Sequence, residues 1–82
     1  MSERVIVYGT DWCSDSVRVL RHLHKKGIDY RYINIDDDEA AEQKVIEFNK
    51  GKRSVPLVEV ATDDGTKSLS VPSASELDSV LG

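Results

Sequence analysis

The stretch VIVYGTDWCSDSVRVLRHLHKKGI, Val5–Ile28, sets two hydrophobic periods on either side of the chain's single cysteine. Arg4 to Tyr8 is a short β-branched run suited to a strand buried on both faces, and Gly9 ends it. From Ser14 to Lys26 the apolar residues Val17, Leu20 and Leu23 recur at helical spacing. Lys25 and Lys26 suit the negative end of that helix, and Gly27 followed by Ile28 reads as its C-terminal cap. Cys13 therefore falls between strand and helix, at the helix N-terminus. Unpaired N–H groups and the positive end of the helix dipole favour thiolate over thiol there, and the thiolate is the attacking species. Asp11 and Asp15 work against this, because like charge disfavours a thiolate. An activated sulfur is expected, less so than one flanked by lysines. Ser16, one helical turn on, can aim a hydroxyl at the sulfur but cannot attack a disulfide.

Downstream, YRYINID (Tyr30–Asp36) alternates in strand fashion. DDDEAAEQKVIEFNKG (Asp36–Gly51) then places acids in a first helical turn and closes on Asn49, Lys50 and Gly51. After Pro56, LVEVA alternates, DDG supplies turn residues and TKSLSV returns, which reads as an antiparallel hairpin. Ser73 with Glu76 makes a capping-box pattern before a last helix whose stripe is Leu77, Val80 and Leu81. The order is βαβαββα. A right-handed βαβ crossover makes the first two strands parallel neighbours, and the hairpin extends the sheet antiparallel. The expected fold is an α/β, four-stranded mixed sheet with helices on both faces.

The 82 residues, 39% hydrophobic and 32% charged with the charges mixed along the chain, describe one globular domain over 1–82. Fifteen acidic residues against eleven basic ones give a net charge of -4, so no electrostatic case exists for nucleic acid or an anionic membrane as partner. The apolar run Val5–Tyr8 is too short for a signal peptide or a spanning segment, and the expected location is the cytoplasm. One cysteine excludes an internal disulfide framework and any all-cysteine metal site within a subunit. The chain is expected to be monomeric.

WCSDS (Trp12–Ser16) after a strand, RSVP (Arg53–Pro56) after the second helix, and the βαβαββα order together resemble a glutaredoxin of the thioredoxin superfamily, over nearly the whole chain. NKGKRSVP (Asn49–Pro56) is similar to the corresponding stretch of the small bacterial glutaredoxin-like proteins that include mycoredoxins. The resemblance implies that Cys13 is the nucleophile; Ser16, whose hydroxyl one turn on can stabilise the charge on the sulfur, is read with it as catalytic. It implies that Val55 precedes a cis-proline, Pro56, and offers its main chain to the cysteine part of a bound small thiol. Arg53 matches the basic residue that meets a glutathione carboxylate. Ser73 and Ala74 fall where the final helix receives another carboxylate.

Four positions depart from the family pattern. Ser16 replaces a second cysteine, Ser14 a proline or glycine, Thr10 a lysine, and VPSAS a Gly-Gly-x-Asp-like signature. The implied activity is reduction of mixed disulfides between proteins and a low-molecular-weight thiol, glutathione or similar. That thiol is a cosubstrate, with no tightly bound cofactor and no metal. Two alternatives stand beside it. One is an iron–sulfur carrier, in which two chains and two glutathiones supply the sulfurs, although the C-G-F-S motif is absent. The other is a redox-inactive interaction module.

Each residue also has a structural reading. Polar neighbours argue against Cys13 as a buried inert thiol and make Trp12 a wall beside the sulfur within the small-thiol site. His22 and His24 lie too far along the helix to serve as a base. Arg53 without the adjacent Val-Pro would be a solvated loop charge. Asp36 to Glu39 reads as a helix-start device rather than a metal site, and Val17, Leu20, Leu23, Val45, Ile46 and Phe48 read as core.

Overall fold

Strand β1 (Val5–Gly9) lies at the centre of the domain, parallel to β2 (Tyr30–Asn34) on one side and antiparallel to β3 (Leu57–Thr62) on the other. Strand β4 (Gly65–Ser70) pairs with β3 to complete a four-stranded sheet of order β2-β1-β3-β4. Helices α1 (Ser14–Lys25), α2 (Glu39–Phe48) and α3 (Ala74–Leu81) complete the expected order in this computed structural model, which describes residues 4–81. Residues 1–3 and 82, which the expected 1–82 domain includes, lie outside the described residues. Among the described residues no helix is long and apolar enough to cross a membrane.

Alternation along β1 and β3 divides the core into two layers. Val5, Val7, Val58 and Val60 face Val19 and Leu23 of α1 and Leu77 of α3. Tyr8 and Leu57, on the opposite face, pack with Ala41 and Val45 of α2 and with Ile35. Helices therefore cover both faces, as the buried-strand reading of β1 requires.

The helix ends follow the local signals. Gly27 takes φ +70, and the N–H groups of Gly27 and Ile28 donate to the carbonyls of His24 and Leu23, which closes α1. Asp38 caps α2 by accepting the Ala41 N–H at 3.0 Å. Ser73 and Glu76 form a reciprocal capping box on α3, at 3.2 and 3.0 Å.

Three details differ from the sequence reading. The buried line of α1 runs through Ser16, Val19 and Leu23, while Val17 and Leu20 are half-buried. Phe48, the last residue of α2, lies past the buried Ala41–Val45 line and is 45% exposed rather than core. Strand β4 stops at Ser70, because Val71 turns to φ +47, where a β-branched side chain is strained.

The rotation of α1 has a specific cause at the end of β1. A Cβ on Gly9 would lie 2.6 Å from Ser16 Oγ and 3.0 Å from Ser16 Cβ, so only a bare Cα admits the first turn of α1 this close. Gly9→Ala is therefore expected to destabilise the domain by about 1–3 kcal/mol in denaturant unfolding. The cost should be smaller in a Ser16→Ala background, with a coupling above about 0.5 kcal/mol. Equal costs in the two backgrounds would contradict the contact.

Candidate active site

The sheet register brings three connections to one end of the domain. Parallel pairing places Gly9 opposite Asn34, so the segments after β1 and β2 leave together, and antiparallel pairing places Tyr8 opposite Leu57, where β3 begins. Cys13, Asp36 and Val55–Pro56 all lie on these segments.

Cys13 is the N-cap residue of α1, with extended backbone at φ -85 and ψ 120. Its carbonyl accepts the Val17 N–H at 3.1 Å, and its own N–H points to the Thr10 carbonyl at 3.4 Å. The side chain makes no capping bond, so the sulfur is left at the positive end of the helix. Sγ is half-buried and lies 4.0 Å from the Val55 carbonyl oxygen, at the outer reach of a thiol donor. The Val55–Pro56 peptide is cis, Pro56 is buried, and Val55 takes no part in the sheet register. Asn49 holds this loop from the end of α2, donating to the carbonyls of Val45 at 3.0 Å and Ser54 at 3.2 Å, while Ser70 Oγ donates to Asn49 Oδ1 at 2.8 Å. On the far side the Val71 N–H donates to the Pro56 carbonyl at 2.8 Å.

Carboxylates on the segments around Cys13 are held by partners. Asp11 accepts from the Tyr32 hydroxyl at 2.7 Å and the Asn34 amide at 3.2 Å. Burial, with the Asp11 bond adding to it, pushes the Tyr32 phenol up, so it stays a donor at neutral pH. Asp36 accepts the Trp12 indole N–H at 2.9 Å and an Arg53 Nη2 bond on its other oxygen. The Arg53 Nε donates to Glu42 on α2. The indole N–H first, and Arg53 second, hold the Asp36 carboxyl below the usual carboxylate range. Trp12 itself is 72% exposed, a fixed aromatic surface beside Cys13.

Cys13, Trp12, Val55 and Pro56 come together, and Arg53 joins them through Asp36. Ser16 lies underneath: its buried hydroxyl accepts the Thr10 N–H at 3.4 Å, and no hydrogen bond joins it to Cys13 among the described residues. Thr10 Oγ1 is buried with no partner among the described residues. Ser73 and Ala74 are exposed at the start of α3, one connection away. They are tied to the site by the Val71–Pro56 bond and by Arg18 donating to the Pro72 carbonyl at 2.9 Å. The sequence reading gives Asp36 only as part of a helix-start run and Asn49 only as part of a helix end, and it does not single out Glu42; the structure adds all three to the site. The only available signal was polar side chains within segments already read as helix ends. The assembled groups suit nucleophilic exchange at sulfur: a helix-end thiol, an open aromatic wall and, opposite, the Val55 main chain outside the sheet register.

Because the folded-state pKa of Asp36 is depressed, its bonds persist above the unfolded value and are lost as pH falls through the folded one. Trp12 is the only tryptophan, so its emission reports them. Emission is expected to stay constant from neutral pH down to about 4 and to change only below that range, with the transition absent in Asp36→Asn. A transition above about 5 with far-ultraviolet dichroism unchanged would contradict the Trp12–Asp36 bond.

A family model described as Glutaredoxin matches residues 5–64. Mycoredoxin 1 of Corynebacterium glutamicum is 38% identical over 73 residues, covering 89% of this chain and 86% of that protein. The crystal structure of the glutaredoxin from Archaeoglobus fulgidus superimposes with a TM-score of 0.69 at 25% identity, over 96% of this chain and 86% of that one. The glutaredoxin-like NrdH-redoxin from Escherichia coli shares the fold, with a TM-score of 0.75 at 23% identity over 94% and 93% of the two chains. With its thioredoxin-like architecture and a cysteine at the turn from β1 into α1, this chain belongs to the glutaredoxin family.

Proposed function

We propose that this chain reduces mixed disulfides between proteins and a low-molecular-weight thiol, using Cys13 alone. The observation that carries the reading is the half-buried Cys13 sulfur at the uncapped start of α1, 4.0 Å from the Val55 carbonyl. The Cys13 thiolate attacks the small thiol's sulfur in the mixed disulfide, and the protein thiolate leaves. The result is a disulfide between Cys13 and the small thiol. A second small-thiol molecule attacks that adduct, releasing a small symmetric disulfide and restoring Cys13, so the two electrons come from the small thiol. Glutathione or a similar thiol is thus a cosubstrate rather than a bound cofactor.

In this reading Trp12 forms one wall for the bound thiol, and the main chain of Val55 before Pro56 receives its cysteine part by strand-like pairing. Arg53 and the start of α3 at Ser73 and Ala74 bound the remainder of the site. Ser16 supports the turn that presents the sulfur. The domain works as a monomer in the cytoplasm, where thiols are kept reduced.

The test is turnover of a protein carrying a small-thiol mixed disulfide, with excess small thiol as reductant. Protein thiol should be released faster with the native chain than without it, and Cys13→Ser should return the rate to the uncatalysed one. A native chain no faster than small thiol alone would remove the reading. Ser16→Cys supplies a second sulfur one turn away, at the spacing a disulfide requires. That variant is expected to lose both free thiols on oxidation and to gain turnover on direct protein disulfides. Two free thiols persisting under an oxidant that modifies native Cys13 would show that positions 13 and 16 do not converge.

A further inference from the structure

We propose that Asp36 and Glu42 are specificity-determining residues that make the site disfavour small disulfides rich in carboxylates and prefer uncharged ones. The inference rests on the thiol-exchange reading above and concerns which thiol that reaction takes. Its basis is the state of Arg53. A guanidinium recognises a carboxylate best through the paired donors of one edge, two parallel N–H groups meeting two oxygens. In this chain the side edge is already used, which leaves only the end-on edge through Nη1: Nε donates to Glu42 on α2, and Nη2 donates to Asp36 between β2 and α2. The cation a carboxylate-bearing thiol would seek is therefore one positive charge held between two negative ones.

Arg53 has little help from its surroundings. Segments 10–16, 34–42 and 49–56, which build this end of the domain, carry a clear excess of acidic over basic side chains, with Lys50 and Lys52 the only cations besides Arg53. The other nearby cations are engaged. Arg18 pairs with Asp15 at 3.7 Å and donates to the Pro72 carbonyl, and Lys44 is bound to Glu59 and Tyr8. An incoming carboxylate must either take the end-on edge through Nη1, beside Asp36 and Glu42, or displace one of them, and in both cases it sits against their charge. The pairs are solvent-accessible, so the displacement is possible and the penalty is a matter of fold rather than of exclusion. An uncharged thiol meets the Trp12 face and the Val55 main chain without disturbing the cluster.

Asp36 also bonds Trp12, so the informative substitution removes its charge and keeps an acceptor. Asp36→Asn, Glu42→Gln and the double variant are compared with the native chain and with Glu47→Gln, which removes the same charge from an exposed position of α2. The probes are glutathione disulfide, which carries more carboxylates than ammonium groups, and the uncharged 2-hydroxyethyl disulfide. In each reaction the Cys13 thiolate bonds to one probe sulfur, the probe's S–S bond breaks and the other half leaves as thiolate. The rate constant for adduct formation is read by intact mass.

The native chain should favour the uncharged probe, after correction for each probe's rate with a simple thiolate. That preference should fall about 3- to 10-fold in the double variant, by less in each single variant, and also in high salt for the native chain. Adding Arg53→Ala to the double variant should remove the gain on glutathione disulfide, and Glu47→Gln should leave the preference as it is. A double variant within about twofold of native, or an equal shift from Glu47→Gln, overturns the inference while thiol exchange stands. A native chain inert to both probes overturns the proposed function, and the inference with it.

Discussion

The approach of α1 to the end of β1 at Gly9 is the constraint on which the reactive end of this domain depends. The glycine leaves room for Ser16, the serine hydroxyl takes the Thr10 N–H, and the first turn of the helix settles on the strand end. That contact fixes where α1 begins and therefore where Cys13 stands. The remainder follows from register. With Tyr8 opposite Leu57 and Gly9 opposite Asn34, the cis Val55–Pro56 peptide and the Asp36 turn reach the same end as the sulfur. Backbone pairing two strands deep thus assembles a site from segments distant in the chain. The same logic gives Ser16 a role below the sulfur, in the packing that presents it.

Charge arrangement defines the chemical character of the site. Three aspartates lie on the segments around Cys13, and each has a partner: Asp11 in Tyr32 and Asn34, Asp15 in Arg18, Asp36 in Trp12 and Arg53. These bonds fix where the negative charge sits and hold the exposed indole in one place. The outcome is a rim that is acidic but ordered, with an aromatic surface next to Cys13. The Arg53 cation, which a basic active site would offer to an anion, is here paired internally with Asp36 and Glu42.

Much of this was legible in the sequence, and what was not has physical reasons. Short-range signals read correctly: the strand and helix periods, Gly27 closing α1, Asp38 within the acidic run capping α2, and Ser73 with Glu76 opening α3. The position of Cys13 between a buried strand and a helix start was equally local. Along α1 hydrophobicity selects Val17 and Leu20 as the buried line, whereas close approach to Gly9 selects the small, polar Ser16. Phe48 looks like core by residue type, yet the buried face of α2 ends at Val45. Val71 has strand propensity but takes φ +47, where the chain leaves β4 for the buried Pro72 and the start of α3. The Arg53–Asp36–Glu42 cluster needs three segments to meet, and no local pattern encodes that meeting.

The central claim is that one half-buried sulfur, presented by α1 opposite Val55, performs the exchange. Intact-mass measurement of the native chain at neutral pH, after exposure to an excess of an uncharged small disulfide and then to the matching thiol, tests this most directly. The predicted result is a single adduct per chain, located at Cys13, that the added thiol fully reverses. A native chain whose mass stays unchanged, under conditions that modify the same cysteine once the chain is unfolded, would contradict it.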